Sequence, residues 1–470
     1  MSRFGWGSAL LLGLALGACN LAPKYHRPDP PIPAHWPEGA SYKADAEQEA
    51  LTPVPLLPED FIKDSKLLQV LQLALEHSRN LRLAMLNVER ARSLYNIQRA
   101  ELFPSAGLSL SGTRQRSSAD LSRPGEPRTT SRYRVDLGIA AWEIDLFGRI
   151  RNLKESALEQ FLAFEEYRRG AEILLITEVS RTYYALAADQ EALRLARSTL
   201  EAQQGAYNLV NTLYKNGLST ELDLRRAQTQ VEAAREDIGL YTQFVAQDIN
   251  ALNLLVGAPV PAGLFPAGLG EVVPPETVRP GISSEVLLSR PDVAAAEHQL
   301  RAVYADIGAA RAAFFPRIGL TALGGTASSA LSALFSAGTG TWTFAAQVAM
   351  PIFDPRTRAA LRLTETEMEF MLTEYEKAIQ TAFRETADTA AVLGTIDDRI
   401  QAHESLIEAS SEAYRLSSVR YPHGIDSYLG VLDAQRSLYS AQKIMVLLKF
   451  AKFSNQIRFY AVLGGQGYRP

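Results

Sequence analysis

This chain contains the same unit twice. Residues 214–231 (YKNGLSTELDLRRAQTQV) and 421–438 (YPHGIDSYLGVLDAQRSL) share one outline, in which Gly217 corresponds to Gly424. Earlier in each copy, AELFPSAGLSLSG at 100–112 corresponds to AAFFPRIGLTALG at 312–324, at nearly the same separation. Such self-similarity indicates one supersecondary unit that is repeated, and we expect both copies to fold in the same way.

Long helices are predicted in both copies. No proline occurs between Pro127 and Pro259, and only Pro422 interrupts the tract between Pro355 and Pro470. Within these tracts apolar residues recur every seven positions, which is typical of helices that pack as coiled coils. Some sixty residues of helix ending near residue 216 would extend on the order of 90 Å. The two series of apolar residues are Leu186, Leu193, Leu200, Tyr207 and Tyr214, and Leu393, Ile400, Ile407, Tyr414 and Tyr421.

Two stretches in each copy alternate apolar with small or polar residues, the pattern of a β-strand with one apolar face. The strands are expected at about 104–114, 132–143, 316–326 and 340–351. Their length of about ten residues suits a membrane strand, although a soluble half-buried sheet produces the same alternation. Four strands cannot close a barrel, so a membrane barrel would need strands from several copies of the chain.

The first residues predict export. Arg3 precedes a short apolar run, and small residues follow at Gly17 and Ala18, so residues 1–18 are interpreted as a signal peptide. Cys19 ends the sequence LGAC, which resembles a bacterial lipobox, in which the cysteine becomes the lipidated first residue. Ordinary secretion with a free thiol is the alternative. Under the lipobox interpretation, Asn20 favours sorting to the outer membrane. No later apolar run is long enough for a membrane helix, so any membrane crossing would use strands.

Composition and motifs disfavour several classes of function. The formal net charge is −4 over 470 residues, which leaves no basic excess for a nucleic-acid partner. Cys19 is the only cysteine, which excludes an intrachain disulfide and a cysteine-based metal site. The six histidines form no HExxH or other ligand spacing, and neither GxSxG nor a P-loop pattern occurs. We therefore expect no enzyme, no metal and no cofactor, apart from a covalent lipid on Cys19.

Several short motifs, taken in order, resemble one protein family. They are the lipobox, LLSRPDV at 287–293, AELFPS and AAFFPR, AWEIDLFGR at 141–149, and the YxxG and LDAQRSL elements at 421–438. Together they resemble the outer-membrane efflux duct family, or TolC superfamily, and within it the OprM-like, NodT-type lipoproteins of RND efflux pumps. The resemblance spans residues 19 to about 465.

The resemblance implies a fold, a function and partners. The fold would be mostly α-helical with a membrane β-barrel: a homotrimer whose chains each lend four strands to a twelve-strand barrel, with a long α-helical coiled-coil tunnel in the periplasm. The function would be the outer-membrane channel of a tripartite efflux system. Its partners would be outer-membrane lipid, a periplasmic adaptor protein and an inner-membrane RND transporter that supplies the substrate.

The resemblance also suggests where the channel closes. In the family, helices coil inward at the periplasmic tip around an apolar ring and an acidic ring. By position, Leu429 corresponds to the apolar gate, Asp433 to the acidic ring and Arg436 to a basic residue one turn further on. A solvated Asp433–Arg436 ion pair and simple helix packing of Leu429 remain the alternatives to these gate roles.

Further tip residues follow from the same comparison. Asp223 corresponds to an acid that in TolC contacts neighbouring helices, and Tyr421 is a possible tip contact. This sequence has Asp426 where TolC has a basic partner, which favours an OprM-like gate. Gly217 and Gly424 are the expected turns of the two hairpins.

The predicted organisation has two repeats, at 66–257 and 285–465, and a C-terminal tail at 466–470. The segments 19–65 and 258–284, rich in proline, would belong to an equatorial region around the tunnel. Two other functions remain open, namely a duct for type I protein secretion and a non-conducting structural lipoprotein. Scattered methionines and histidines favour organic compounds over copper or silver as the substrates.

Overall fold

A computed structural model of the chain describes residues 20–33, 35–42, 58–276 and 284–465. The predicted signal peptide, Cys19 and the C-terminal tail lie outside these residues. In the described residues the strands are β1 (Ala106–Arg116), β2 (Thr129–Ile144), β3 (Arg317–Ser328) and β4 (Gly340–Ala349). The long helices are α1 (Ser65–His77), α2 (Arg79–Ala100), α3 (Arg149–Lys215), α4 (Glu221–Val256), α5 (Pro291–Ala312), α6 (Pro355–Arg420) and α7 (Tyr428–Val462).

The element order repeats, as the internal duplication predicts. A helix, two strands, a very long helix and a shorter helix occur in each half, and α3 and α6 contain 67 and 66 residues. Helix α2 begins at Arg79 and α5 at Pro291, positions that correspond in the two copies. The predicted combination of long helices with four antiparallel strands is confirmed.

The four strands form one antiparallel sheet in the order β1-β2-β3-β4. Leu108 lies opposite Leu137, and Leu320 lies opposite Ala346, so apolar residues share one face. The polar residues of β2 point to the other face, where Arg134 and Asp136 form an ion pair at 2.5 Å. This division follows directly from the period of two in the sequence.

Strand β2, with 16 residues, is longer than the sequence alone predicted. Its pairing with β3 shifts between Ile139 and Trp142, where a β-bulge contains Ala141 at a φ of 60°. The two strands approach so closely beside the bulge that a Cβ at Gly138 would lie 2.1 Å from the carbonyl oxygen of Ala322. A bulge of this kind bends the strand and increases its local twist.

The described residues divide into two compact units, and the unit that contains the sheet comprises residues 20–29, 88–164 and 296–375. In this unit, hydrogen bonds hold the segment that follows Asn20 against α5. The guanidinium of Arg27 donates to both carboxylate oxygens of Glu297, at 3.1 and 2.6 Å, and Tyr25 and Arg301 donate to the same carboxylate.

Nearer its start, this segment contacts the end of α5. Arg311 donates to the carbonyl oxygen of Leu21 at 3.3 Å, and a Cβ at Gly308 would lie 2.8 Å from Ala22. Burial would raise the pKa of Glu297, but the hydrogen bonds from Arg27 and Arg301 outweigh it and hold that pKa below its usual value. The residues that directly follow Cys19 are therefore held beside the end of α5, which leads into β3.

The second unit comprises the described residues within 30–87, 165–295 and 376–465 and contains the main described apolar core. Helices α1, α3, α4 and α7 supply this core, in which Tyr183 and Tyr184 are fully buried and Phe61 stacks on Tyr460 with ring centroids 5.4 Å apart. Asp64 caps α1 by accepting from the backbone N–H groups of its first turn. The core thus locks the middle of α3 to its neighbours.

Arg290, in the LLSRPDV motif, joins three helices of this second unit. The residue is 7% exposed, and its guanidinium donates to Asp292 at the start of α5, to Glu385 in α6 at 2.9 Å and to the carbonyl oxygen of Val462 at the end of α7. Charge-assisted bonds of this kind are among the stronger contacts in a protein. The motif therefore has a structural role in this chain.

Candidate functional site at the helix hairpin turns

The two hairpin turns have the same backbone geometry. Gly217 and Gly424 adopt left-handed φ values of 71° and 70°. At the first turn the N–H groups of Gly217 and Leu218 donate to the carbonyl oxygens of Tyr214 and Leu213, and the corresponding residues of the second turn make the same bonds. These paired bonds are those of a Schellman helix terminus, which requires the left-handed conformation that glycine adopts without a steric penalty. Both glycines lie at the turns where the sequence predicted them.

The helix that follows each turn, α4 or α7, begins with a side-chain cap. Thr220 accepts from the N–H of Asp223 at 3.1 Å, and Ser427 accepts from the N–H of Gly430 at 3.4 Å. The Thr220 hydroxyl also donates to the Asp223 carboxylate at 2.7 Å. Asp223 is therefore engaged at the start of its own helix, where a negative charge interacts favourably with the helix dipole.

Behind the turns, helices from both copies share a small apolar cluster. Its buried members are Val210, Ala227, Tyr428, Val431 and Leu432. Tyr428 packs against Tyr421 with ring centroids 5.3 Å apart, and its hydroxyl is buried without a hydrogen-bond partner among the described residues. Burial raises the pKa of Tyr428 to about 12. The cluster joins the first hairpin to the second hairpin close to the turns.

The three predicted gate residues lie together on the opposite face of α7. Leu429, Asp433 and Arg436 are all exposed, with Leu429 at 52%, because spacings of four and seven residues return to one side of a helix. Arg436 donates to the amide oxygen of Gln230 in α4 at 3.3 Å. Within the described part of one chain, the Asp433 carboxylate forms no ion pair. The structure thus brings the three residues onto one face without an Asp433–Arg436 ion pair.

The remaining predicted tip residues bind within their own hairpins. Asp426 accepts two hydrogen bonds from Arg420, at 2.8 and 3.3 Å. Asp223 lies 3.7 Å from Arg226, one turn further along α4. Each of these two carboxylates therefore has an arginine of its own hairpin beside it.

One cluster was missed by the sequence reasoning. Asp237 in α4 accepts from the Tyr439 hydroxyl at 2.8 Å and from the Lys443 ammonium at 3.1 Å, both in α7. The ammonium also lies 5.6 Å from the centre of the Tyr241 ring, a cation–π distance. Burial and the Asp237 carboxylate both raise the pKa of Tyr439. Asp237 and Lys443 are separated in the sequence by nearly the same number of residues as the two turn glycines. This spacing, which is that of the internal repeat, is the signal that could have identified the cluster.

A second missed feature is a pair of acids on α3 and α4. Burial raises the pKa of Asp248 to about 7, and the nearby Asp189 carboxylate adds to the shift. One carboxylate oxygen of Asp248 is buried without a hydrogen-bond partner among the described residues. Two acids that face each other away from water share protons and cannot both ionise easily.

The described residues hold neither a candidate metal site nor a candidate membrane helix. They contain no group of three histidine, cysteine, aspartate or glutamate side chains placed to hold a metal ion. Among the same residues, no helix combines the length and the apolar character that a membrane span needs.

Doubled helical hairpins, a four-stranded sheet and paired turns define the class of TolC-like channels. The family model described as outer membrane efflux protein matches residues 70–258 and 282–465. The chain belongs to that family, whose members are outer-membrane efflux channels and not enzymes. The outer-membrane efflux channel predicted from the sequence is therefore confirmed at this level.

Individual proteins resemble the chain over nearly its whole length. It is 43% identical over 456 residues to the solvent efflux pump outer membrane protein SrpC of Pseudomonas putida, with 96% of each chain covered. A crystal structure of a membrane protein from Pseudomonas aeruginosa matches with a TM-score of 0.89 and 37% identity, covering 96% of this chain and 98% of the other. The open state of the Neisseria gonorrhoeae MtrE outer membrane channel matches with a TM-score of 0.84 and 35% identity, covering 96% and 99%.

Proposed function

We propose that this protein is the outer-membrane duct of a tripartite RND efflux system and that it closes at its periplasmic tip. The observation that carries the proposal is the exposed stripe of Leu429, Asp433 and Arg436 beside a turn that each copy of the unit builds in the same way. A stripe with an apolar residue, an acid and a base, left exposed in a single chain, is suited to face a symmetry axis.

The sheet supports an oligomer. Both β1 and β4 are edge strands of the described sheet, and the apolar residues on one face, such as Leu110 and Trp342, are exposed in a single chain. Unpaired strand edges in lipid would each leave several backbone groups without hydrogen bonds. Three chains with four strands each would close a twelve-strand barrel and bring the tips together around one axis.

At such an axis, the three Leu429 side chains would form an apolar constriction and the three Asp433 carboxylates an acidic ring. Like charges in a confined space repel one another and favour either protonation or a nearby cation. Arg436, one turn away on the same face, would supply that cation from a neighbouring chain, since it does not pair with Asp433 within its own.

The family and the exposed residues of the two turns support the proposed partners and location. Leu218 and Ile425, directly after the turn glycines, are 74% and 61% exposed and offer apolar contacts to a periplasmic adaptor protein. An inner-membrane RND transporter would supply the driving force and the substrate. A lipid on Cys19 would anchor the chain in the outer membrane. Small organic compounds are the proposed substrates, in keeping with the solvent efflux pump named for one relative.

Single-channel recording in planar bilayers tests the gate. The double variant Leu429→Ala with Asp433→Ala removes the apolar and acidic rings, so we expect longer open times and a larger conductance than in the unmodified protein. The matched control is Leu222→Ala with Arg226→Ala at the corresponding positions of the first copy, which should leave the conductance unchanged. A double gate variant that conducts like the unmodified protein would contradict the proposed gate.

Two outcomes would favour the other functions. An unmodified trimer that never conducts, even with both gate residues replaced, would indicate a structural lipoprotein. Co-purification with a transporter of the type I secretion class, in place of an RND transporter and its adaptor, would indicate a protein-secretion duct.

A further inference from the structure

Two aromatic rings stack on each other where β2 leads into α3 and where the chain enters β3. Phe147 lies two residues before the start of α3, and Phe315 directly precedes Pro316, where the chain enters β3. Their rings stack with centroids 4.7 Å apart and planes inclined by 24°. The two rings can meet within one chain, because β2 and β3, the strands beside them, are adjacent in its sheet.

The repeat supplies a second pair of rings that cannot meet within one chain. Phe353 lies two residues before α6, as Phe147 does before α3, and Phe103 directly precedes Pro104, as Phe315 precedes Pro316. Phe353 is 89% exposed and Phe103 is 65% exposed. They belong to the junctions beside β4 and β1, which are the opposite edge strands of the sheet.

An open groove lies beside Phe353. It has a volume of about 730 Å³ and is lined by apolar residues of the β4–α6 junction, Pro351, Ile352 and Phe353, together with Phe314 and residues of the first turns of α6. Ile352 is 97% exposed within one chain. The groove is therefore large enough for an aromatic side chain, and its lining combines these apolar residues with the charged side chains of Asp354, Arg358 and Arg362.

The strand pairing inside the chain aligns the two copies of the strand pair. Leu108 of β1 corresponds to Leu320 of β3 in the repeated sequence. The residues that lie opposite them are Leu137 of β2 and Ala346 of β4. Leu137 therefore corresponds to Ala346, and this match fixes the alignment of β2 with β4.

The same alignment provides a register for the edges of the sheet. Two residues further along, Ile139 of β2 corresponds to Val348 of β4, and Ala322 of β3 corresponds to Leu110 of β1. Inside the chain, Ile139 lies opposite Ala322. If β4 of one chain paired with β1 of another chain in this register, Val348 would lie opposite Leu110. Both residues lie on the apolar face, as a sheet with one apolar face requires.

We propose that Phe353 of one chain stacks on Phe103 of a neighbouring chain. In the same interface, β4 of the first chain pairs with β1 of the neighbouring chain, with Val348 opposite Leu110. The interface repeats, between chains, the Phe147–Phe315 contact and the β2–β3 register found within one chain. The inference rests on the proposed oligomeric duct, and it specifies the side chains and the register by which one copy recognises another.

Cysteine cross-linking of the full-length protein in membranes tests the register. Residues directly opposite in an antiparallel pair have Cβ atoms about 5 Å apart, within reach of a disulfide after small adjustment. With an added oxidant, the variant Val348→Cys with Leu110→Cys should lose its monomer band and form covalent dimers and trimers. The matched control, Val348→Cys with Leu108→Cys, is displaced by two residues on the same face and should remain mostly monomeric on denaturing gels.

The aromatic contact has its own test. Phe353→Ala and Phe103→Ala should each lower the temperature at which the trimer dissociates, and the double variant should lower it no further than the more harmful single variant. Fully additive effects would overturn the stacked pair. Cross-linking of Val348 with Leu108 in preference to Leu110 would overturn the register.

The failure of the oligomer can be distinguished from the failure of this interface. If the unmodified protein is a trimer by light scattering in detergent but neither cysteine pair cross-links, the interface proposal is wrong and the trimeric duct stands. If the unmodified protein is a monomer in detergent and in membranes, the proposed duct is wrong, and the interface falls with it.

Discussion

At the scale of single residues, backbone conformation at the turns is the most predictable feature. Gly217 and Gly424 are left-handed, and a Cβ added to either would meet no atom within 4 Å. The requirement for glycine is therefore conformational and not steric. Gly239, in the interior of α4, is equally unobstructed but has a helical backbone, so it provides a direct comparison.

The substitution Gly424→Ala is expected to destabilise the second hairpin turn by about 1–2 kcal/mol, because an L-residue resists the left-handed conformation. Gly239→Ala should instead stabilise α4 by about 0.5–1 kcal/mol, because glycine is the more flexible residue in a helix. Hydrogen exchange of the amides near each site measures both effects. Equal changes of the same sign at the two glycines would contradict the conformational explanation.

A second prediction at this scale concerns Asp248. Its pKa is raised to about 7 by burial and by Asp189, whereas an unfolded aspartate has a pKa of about 4. Between these values the unfolded chain binds fewer protons than the folded one, so the free energy of unfolding should fall as the pH rises from about 4 to about 7. The protonated carboxyl is the form that the folded α3–α4 pair favours.

The variant Asp248→Asn keeps the shape of the side chain without its ionisation, so the α3–α4 pair should lose this part of its pH dependence and be more resistant to exchange at pH 8. Hydrogen exchange of α3 and α4 at pH 5 and pH 8 provides the measurement, with Asp398→Asn on α6 as a comparison. If Asp248→Asn leaves the pH dependence of α3 and α4 intact, the carboxyl pair is not its source.

At the scale of elements, charged contacts add to the apolar packing that joins the helices. Helices α4 and α7 are joined by Asp237, whose carboxylate is 15% exposed and is shared by Tyr439 and Lys443. A different contact joins α6 to α7, where Lys452 lies 2.7 Å from an Asp397 carboxylate that is 70% exposed. The two acids have similar partners but very different exposure to water.

The substitution Asp237→Ala is therefore expected to weaken the α4–α7 contact by about 2 kcal/mol, because it leaves a half-buried ammonium and a tyrosine hydroxyl without their acceptor. Asp397→Ala should cost less than about 0.5 kcal/mol, since exposed ion pairs are screened by solvent. Amide exchange in α7 reports the difference. A loss at Asp237 no larger than that at Asp397 would show that the cluster does not hold the hairpins together.

At the scale of the whole molecule, the doubled unit gives each chain two hairpin turns and four strands. The family assignment covers both repeats, and the segment that directly follows Cys19 is bound along α5 by Glu297. Within the same segment, the carbonyl oxygen of Leu21 accepts from Arg311 at the end of α5, from which the chain continues into β3.

Replacement of Cys19 by serine tests the anchor. Mass spectrometry of the membrane-extracted protein should find a chain that begins at residue 19 and carries acyl chains, and Cys19→Ser should lose this modification. An unmodified thiol at Cys19 in the mature protein would favour ordinary secretion.

Local signals in the sequence were sufficient to predict most of the helices, strands and turns of this protein. The repeat, the heptads, the strand alternation and the turn glycines depend on period and on backbone preference, which neighbouring residues express without reference to distant ones. The exposed stripe on α7 follows from helical spacing alone. The extra length of β2 was not predicted, because most of the added residues, at 129–131, pair with residues 114–116 of β1, a contact that the local pattern does not specify.

Only the tertiary structure decided which charged groups meet. Asp426 pairs with Arg420, Asp237 with Lys443 and Glu297 with Arg27, and the partners in the last two pairs lie far apart in the sequence. A period identifies which face of a helix is apolar, but it does not specify which residue of another helix lies opposite. The sequence by itself therefore determined the elements and their duplication, while the packing of the chain determined which charged residues contact one another.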